Sequence, residues 1–449
     1  MLKLIHTADW HLGQTLHGQP REAEHQAFLD TLLETLSERH IDALLIAGDV
    51  FDNANPSIRA QEQLYQFIRQ AHQRCPQLDI VLIAGNHDSG ARIELPAPLL
   101  AQFNTHALGR VHWHPSQVET PRQLDTDALR IPLTDAQGQI AAWCLALPFL
   151  RPAEVTGSGL GDDYLQGIEM VHRQLIQAAV DKRAPGQALV AMSHAHLTTG
   201  QVSEDSERPI IIGGAESIST QLFPAELAYV AMGHLHRPQQ LQEHPCIRYS
   251  GSPLPMSFAE THYPHQLVEV TLEGESLANV TPIPLPHYAA MRRVPAQPAP
   301  LDTVMSALKA LAQECQTSTE HHGSAPLPPE RWPWLEVRVL LTQPEPNLRQ
   351  QIEAVLAEAP VRLVRIQVHY AQSEHSAETP SLEQLDRLTP TDILTRQWLT
   401  QFGQAPDAEL MADFQWLVEQ AQLDDEVFED NPSASENPTL KTSAARDES

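Results

Sequence analysis

A short segment in the first ninth of the chain strongly constrains the fold. Residues 44–47 (Leu-Leu-Ile-Ala) form an uninterrupted apolar run that leads into Gly48 and Asp49. Such a run predicts a buried strand. Gly48 permits a sharp turn and a close backbone approach where that strand ends. We therefore expect Asp49 at the carboxyl end of a parallel strand, which is where open α/β sheets bind their ligands.

Two similar segments lie on either side of this one. Residues 2–8 predict a first strand that leads into Asp9-Trp10-His11. Residues 79–84 predict a third strand that leads into Gly85-Asn86-His87-Asp88. All three predicted strands therefore end in side chains that can bind a metal ion.

Helices are predicted between these strands. Residues 20–39 carry apolar side chains at helical spacing, with Pro20 at a first helical position. A second helix is expected to begin at Asn55-Pro56. Strands that alternate with helices are typical of an α/β fold with a parallel sheet, so the three strand ends should lie side by side.

Two later strands are predicted to end in histidine. Residues 189–193 lead into His194, and residues 227–232 lead into Gly233-His234-Leu235-His236. His196 is an alternative to His194, which we prefer because it follows its strand directly. A helix is predicted over residues 164–182, before the first of these strands.

The strand ends together supply a set of oxygen and imidazole donors. The candidate metal ligands are Asp9, His11, Asp49, Asn86, His194, His234 and His236. This mixture suits Mn²⁺, Fe²⁺ or Zn²⁺ better than the all-oxygen environment that calcium prefers. Because a carboxylate has two oxygens, Asp49 is predicted to bridge two ions, which in such sites lie about 3.5–4 Å apart. A pair of this kind favours hydrolysis at phosphorus.

His87 is predicted to act on the substrate and not on the metal. Its neighbour Asn86 can coordinate through the amide oxygen, which leaves His87 to stabilise the phosphorane and protonate the leaving oxygen. Asp52 is predicted to orient His87 by accepting its other ring N–H. Each motif alone also fits a surface turn, a capping loop or a core histidine. Five strand ends that all supply ligands favour a metal site.

These motifs resemble the calcineurin-like metallophosphoesterase superfamily, and within it the SbcD family of bacterial nuclease subunits. The resemblance is dense over residues 1–285 or so and looser beyond them. The segments that carry it are Asp9-Trp10-His11-Leu12-Gly13, Arg21-Glu22-Ala23-Glu24-His25, Ala47-Gly48-Asp49-Val50-Phe51-Asp52, Ala84-Gly85-Asn86-His87-Asp88-Ser89, Gly233-His234-Leu235-His236 and Tyr249-Ser250-Gly251-Ser252-Pro253.

The resemblance implies a sandwich of mixed β-sheets flanked by helices, with a small α/β cap domain and C-terminal helices. It implies an Mn²⁺-dependent nuclease of DNA repair and recombination, a double-strand 3′→5′ exonuclease that also cuts single strands and hairpins. The implied partner is SbcC, an ATPase with a long coiled coil, in an ATP-regulated two-plus-two assembly. By position, one ion would be held by Asp9, His11, Asp49 and His236, and the other by Asp49, Asn86, His194 and His234. His87 would be the catalytic histidine.

The domain organisation is predicted from proline density and composition. Prolines crowd the stretch between Thr281 and Pro300, which indicates a boundary. The later periodicity predicts an αβαβ module and two further helical segments, near 381–401 and 406–423. The predicted parts are a nuclease domain (1–288), an α/β cap domain (289–371), a helical partner-binding region (372–429) and a disordered acidic tail (430–449).

Charge and cysteine usage restrict the class of protein. The formal net charge of −28 over 449 residues argues against a free-standing DNA or membrane binder. The four cysteines are far apart in sequence and predict free thiols in a reducing compartment. Since no apolar run is long enough to span a bilayer and no signal peptide is evident, we expect a cytoplasmic protein.

Two other function classes are compatible with the same motifs. One is a phosphatase or small-molecule phosphodiesterase, because one fold can host many substrates. The cap and helices predicted after residue 288 argue against it, since a compact phosphatase has no need of them. The other is a non-catalytic scaffold, which would have no need of His87 or of a bridging Asp49.

Overall fold

The structure, a computed structural model, covers most of the chain up to residue 370. It describes residues 1–114, 123–156, 163–198, 200–201, 217–241, 244–321 and 327–370, although the side chains of 316–321 are not described. Beyond residue 370 it describes Leu394, Thr395, Trp398, Leu399, Pro406, Leu410, Met411 and Phe414.

The N-terminal part alternates strands with helices, as predicted. Its elements are β1 (Leu2–Thr7), β2 (Thr15–Leu16), β3 (Gln19–Pro20), α1 (Glu22–Glu38), β4 (Ala43–Ala47), α2 (Ile58–Arg74), β5 (Asp79–Ile83), α3 (Gly90–Glu94), α4 (Ala97–Leu100) and β6 (Thr105–Leu108). The prediction of Pro20 as a first helical residue was wrong, because Pro20 pairs with Thr15 in the β2–β3 hairpin. Helix α2 begins later than expected, where the Ser57 hydroxyl accepts a hydrogen bond from the Ala60 N–H.

The next part of the chain supplies most of a second sheet. Its elements are β7 (Arg130–Thr134), β8 (Ile140–Ala146), α5 (Pro152–Val155), α6 (Tyr164–Lys182), β9 (Ala188–His194), β10 (Tyr229–Gly233), β11 (Gln239–Leu241), β12 (His244–Tyr249), β13 (Gln266–Glu273) and β14 (Ser276–Pro284). The helix predicted over residues 164–182 is confirmed at both ends.

The strands form two six-stranded mixed sheets, in the orders β14-β13-β1-β4-β5-β6 and β11-β12-β10-β9-β8-β7. Four neighbouring strands of each sheet are parallel. Antiparallel pairing occurs at the β13–β14 edge of the first sheet and at both edges of the second, through β11 and β7. The predicted sandwich of mixed sheets is confirmed.

Alternation along the strands builds the layers. Leu45 and Val81 belong to a core that includes the second sheet's Val190 and Val230. Their neighbours Leu44 and Ile80 point the other way, into a core shared with α1 and α2. Because successive side chains of a strand face opposite sides, a strand buried on both faces must be apolar throughout. This explains the uninterrupted apolar run before Gly48.

Residues 291–370 form a smaller module, which we call the cap module. Its elements are β15 (Met291–Pro300), α7 (Leu301–His321), β16 (Trp334–Leu341), α8 (Leu348–Leu356) and β17 (Arg362–Tyr370). The three strands are parallel, in the order β15-β16-β17. The αβαβ prediction missed β15, since its prolines indicated a boundary. An edge strand tolerates proline because one side of it donates no ladder hydrogen bonds.

The structure divides into two compact units, residues 1–371 and 372–449. The two predicted C-terminal helices and the predicted acidic tail fall in the second unit, mostly outside the described residues. The positions described within the two helical segments are helical except Pro406, and the Thr395 hydroxyl lies 3.9 Å from the Met411 sulfur. Within the described part of the chain, no helix has the length and apolarity needed to cross a membrane.

Candidate metal centre

The seven predicted ligands meet where five parallel strands of the two sheets end. Asp9 and His11 follow β1, Asp49 follows β4, and Asn86 follows β5. His194 is the last residue of β9, and His234 and His236 follow β10. All are buried except Asn86, which is half-buried.

Backbone hydrogen bonds continue the β1–β4 pairing beyond the strands. The N–H of Asp9 donates to the carbonyl of Gly48, and the N–H of His11 to that of Asp49, each at 3.0 Å. These loops are strained, because Asp9, His11 and Asp49 all have φ between 46° and 55°. Left-handed backbone at non-glycine residues costs on the order of 1–3 kcal/mol each and clusters at functional sites.

Two glycines allow the loops to approach this closely. A Cβ on Gly48 would collide with the His194 ring, and the φ of Gly48 is +92°. A Cβ on Gly85 would collide with the carboxylate and backbone nitrogen of Asp49. The glycines before Asp49 and Asn86 are therefore required by close packing around the ligands.

One group of donor atoms comprises Asp9, His11 and His236, which each offer one ligand atom within 4.8 Å of the others. The Nε2 atoms of His11 and His236 are 3.3 Å apart. Oδ1 of Asp9 accepts a hydrogen bond from the N–H of His234 at 2.9 Å. Oδ2 of Asp9 is buried and has no hydrogen-bond partner among the described residues.

A second group comprises Asp49, His194 and His234. Oδ1 of Asn86 lies 3.0 Å from Nε2 of His194 and 3.2 Å from Nδ1 of His234. Oδ2 of Asp49 lies 3.4 Å from Nε2 of His194 and 3.7 Å from Nε2 of His11. One carboxylate oxygen therefore stands between the two groups of donors.

The structure also distinguishes the two histidines at the end of β9 and just beyond it. His194 lies within the second group, whereas Nε2 of His196 is 3.4 Å from the carbonyl of Gly200. The His196 ring is half-buried and 6.4 Å from that of His234. His194 is therefore the histidine that the fold brings to the donors.

The inward orientation of the histidines depends on partners at Nδ1. Nδ1 of His194 donates to the carbonyl of Ala47 at 2.9 Å, and Nδ1 of His236 lies 2.8 Å from Oε1 of Glu260. Such partners select the tautomer and direct the other ring nitrogen to a metal. Glu260 is fully buried and was not predicted. The only signal was an acidic residue shortly after the Tyr249–Pro253 motif.

The contact predicted between Asp52 and His87 exists in a different form. Nδ1 of His87 donates to the main-chain carbonyl of Asp52 at 2.8 Å. The Asp52 N–H donates to the carbonyl of Leu12, which pairs this segment with the first loop. The Asp52 carboxylate consequently lies 3.6 Å from Nδ1 of His11.

Asp88 is a further residue that the sequence analysis did not single out. Its buried carboxylate accepts hydrogen bonds from the backbone N–H groups of Val50, Phe51 and Gly85, at 2.9–3.0 Å. It therefore ties the loop after β4 to the loop after β5. Burial and the neighbouring Asp49 carboxylate raise the pKa of Asp88 to about 6, although these hydrogen bonds oppose the shift.

The buried groups of the site shift one another's pKa values. Burial opposes charge on both members of the His194–Asp49 pair, but their mutual attraction outweighs it. The carboxylates of Asp49 and Asp9 raise the pKa of His194 to about 9, and His194 holds the pKa of Asp49 well below its usual range. Burial raises the pKa of Asp9, and burial together with His194 lowers that of His234.

The donor set fits divalent cations. A buried carboxylate oxygen without a partner, such as Oδ2 of Asp9, is costly unless a cation compensates it. Imidazole nitrogens pointing at one another, as in His11 and His236, are likewise typical of a metal site. The mixed oxygen and nitrogen donors suit borderline ions. The two groups with Asp49 between them are compatible with a site for two metal ions.

Comparison with protein family models also indicates a phosphoesterase. The family model for calcineurin-like phosphoesterases matches residues 2–238, and residues 287–401 match SbcD_C, described as the type 5 capsule protein repressor C-terminal domain. The chain belongs to the SbcD family of calcineurin-like phosphoesterases. It is accordingly a metal-dependent phosphodiester hydrolase, and the family resemblance noted from the motifs is confirmed.

Relatives from three bacteria align with this chain over most of their own length. The SbcD subunit of the SbcCD nuclease from Rhodobacter capsulatus is 38% identical over 87% of this chain and 92% of its own. The SbcD subunit from Escherichia coli K12 is 30% identical over 88% of this chain and 92% of its own. The Bacillus subtilis protein of the same name is 35% identical over 58% of this chain and 64% of its own.

Replacement of Gly85 by alanine is expected to disrupt the metal centre. The added Cβ displaces the Asp49 carboxylate, so we expect loss of bound metal, measured by elemental analysis of the purified protein. Gly138→Ala is the control for the loss of a glycine elsewhere: its φ of +73° makes alanine strained there too, but the Cβ meets nothing within 4 Å. Full metal occupancy in Gly85→Ala would contradict the packing argument.

Glu260→Gln is expected to weaken metal binding without removing a ligand. Loss of an outer partner of a metal-bound histidine typically lowers metal affinity or activity about 10–100-fold. Metal affinity can be measured by calorimetric titration. Glu269→Gln is the control, because Glu269 forms an ion pair with Arg39 away from the donor groups. Equal affinities in the two variants would show that Glu260 does not orient His236.

Proposed function

We propose that this protein is the nuclease subunit of an SbcCD-type complex and hydrolyses phosphodiester bonds of DNA with two Mn²⁺ ions. The proposed activities are 3′→5′ exonuclease on double-stranded ends and endonuclease on single strands and hairpins. The observation that carries the proposal is Oδ2 of Asp49, which lies between Nε2 of His11 and Nε2 of His194. The relatives from Rhodobacter capsulatus and Escherichia coli are named as nucleases.

We assign the ligands as the resemblance implied. One ion is held by Asp9, His11, Asp49 and His236, and the other by Asp49, Asn86, His194 and His234. When bound, such a pair lowers the pKa of water and neutralises charge on the phosphate. The mixed carboxylate, amide and imidazole donors support Mn²⁺ among the borderline ions.

His87 is proposed to be the catalytic histidine. Its ring lies edge-on to that of His11, with centroids 4.8 Å apart, and is half-buried. Since Nδ1 donates to the carbonyl of Asp52, the tautomer is set and Nε2 is the nitrogen that exchanges a proton. In this role His87 stabilises charge on the phosphorane and protonates the leaving oxygen. Asp52 holds the ring through its main chain and faces His11 through its carboxylate.

The proposed partner is an SbcC-type ATPase in a two-plus-two, ATP-regulated assembly that contains a homodimer of this subunit. The name of the relatives and the family match, which extends to residue 401, support it. A net charge of −28 repels a polyanion, so a partner that supplies DNA affinity is consistent with the composition. We propose a cytoplasmic location, because DNA and the ATPase are there.

His87→Ala tests the proposed function. We expect cleavage of linear duplex and hairpin DNA with Mn²⁺ to fall about 10²–10⁴-fold, the range typical of general acid–base catalysis, while both ions stay bound. His112→Ala is the control, since His112 is an exposed histidine beside Glu94.

Three outcomes would count against this proposal. Loss of metal in step with activity would make His87 a ligand. If the wild type cleaves no DNA, either alone or with its ATPase partner, the proposed nuclease activity is wrong. Faster hydrolysis of phosphate monoesters than of DNA would favour the phosphatase alternative.

Truncation after Pro380 tests the partner-binding region. We expect a nuclease that retains Mn²⁺-dependent activity on simple substrates but no longer co-purifies with the ATPase, because both predicted helical segments are removed. The full chain is the control in the same pull-down. An intact complex after truncation would place the interface elsewhere.

A further inference from the structure

A buried hydrogen bond connects the cap module to the first helix of the phosphoesterase fold. Nε1 of Trp334, on β16, donates to Oε1 of Glu24, on α1, at 2.7 Å, across 310 positions of sequence. Trp334 is 1% and Glu24 3% exposed. A buried carboxylate is costly unless its oxygens are satisfied, so this contact has a defined geometry.

Arg21 connects Glu24 to the loops around the metal centre. Its guanidinium, also 1% exposed, donates to Oε2 of Glu24 at 2.8 Å. Nη1 donates to Oε1 of Gln14 at 2.9 Å and to the carbonyl of Pro255 at 2.7 Å. The planar guanidinium therefore holds three segments of the chain at once.

Two short paths continue from Arg21 to proposed ligands. On the first, the N–H of Gln14 donates to the carbonyl of His11 at 2.9 Å. On the second, the chain passes from Pro255 to Met256, whose N–H donates to Oε2 of Glu260 at 2.7 Å. Oε1 of that carboxylate lies 2.8 Å from Nδ1 of His236. Nε2 of Gln14 also donates to the carbonyl of Met256 at 3.0 Å, which joins the two paths.

Apolar packing supports the same connection. Trp334 shares a small core with Leu16, Phe258 and Ala289, and Phe258 stands two residues before Glu260. On the cap side, the guanidinium of Arg362 lies 3.3 Å from the centroid of the Trp334 ring. The cap module therefore contacts, by hydrogen bonding and by packing, the segment that orients His236.

We infer that Glu24 and Trp334 are positioning residues, which transmit the placement of the cap module to His11 and His236 and thereby set the geometry of the metal centre. The inference deepens the proposed function and rests on it. An apolar interface would suffice to attach the cap module. A buried ion pair with directional partners instead specifies one arrangement, and both paths from it end at proposed ligands. Coupling of this kind is reciprocal, so metal binding must also act on the cap module.

Trp334→Phe tests the inference, since it keeps an aromatic ring in the small core and removes the N–H donor. We expect the affinity for Mn²⁺, measured by calorimetric titration, to fall about tenfold, at the low end for outer partners of metal ligands. We expect kcat on bis(4-nitrophenyl) phosphate at saturating Mn²⁺ to fall similarly, with KM little changed. Trp332→Phe is the matched control, because Nε1 of Trp332 donates to Leu327 within the same part of the chain.

Hydrogen exchange on the full-length wild type and on both full-length tryptophan variants gives a second measurement. We expect Mn²⁺ to slow exchange in the β16 segment around Trp334 in the wild type and in Trp332→Phe, but not in Trp334→Phe. If Mn²⁺ changes exchange only near the metal centre, or if the two tryptophan variants bind Mn²⁺ equally, the inference is overturned. A wild type that neither binds Mn²⁺ nor hydrolyses the diester would instead overturn the proposed function.

Discussion

The close burial of carboxylates and imidazoles is the constraint on which the rest of the structure depends. Oδ2 of Asp49 lies within 3.7 Å of ring nitrogens from two different histidines, in a place shielded from water. Isolated charges cannot be buried there, because their desolvation is too costly. The arrangement is stable only if opposite charges, hydrogen-bond donors or cations surround each oxygen. The two sheets provide this environment, since parallel strands of both end at the same place.

Holding the donors together requires a second set of contacts around them. The histidines are oriented in different ways: His194 by a backbone carbonyl and His236 by the Glu260 carboxylate. Asp88 satisfies three backbone N–H groups and so joins the loops that carry Asp49 and Asn86. These contacts offset the strain of the left-handed residues, because each loop is held at several points.

The cap module extends this principle beyond the phosphoesterase fold. Its Trp334 reaches Glu24, and from there hydrogen bonds lead to the segments that hold His11 and His236. A module attached in this way is suited to communicating with a metal centre, since its displacement would remove the Trp334 donor from the buried Glu24 carboxylate and leave Arg21 as its side-chain donor.

The sequence by itself determined the strand ends and the residues they present. Apolar runs that end in Gly48 or Gly85 are local patterns, so the positions of Asp49 and Asn86 follow from neighbours in the chain. Only the tertiary structure decided which distant residues complete the site. Glu260 reaches His236 across 24 positions and Asp88 reaches Val50 across 38, and local spacing predicts neither contact.

The same distinction between local patterns and long-range contacts explains where the structure differs from the sequence-based predictions. The prolines of β15 indicated a boundary because local propensity does not show that a strand lies at a sheet edge. Asp52 was correctly associated with His87, but whether its carbonyl or its carboxylate makes the contact depends on the pairing of its loop with Leu12. The choice between His194 and His196 likewise depended on where β9 ends relative to Asn86. Residue types and their spacing specify the chemistry available, whereas long-range packing decides which atoms meet.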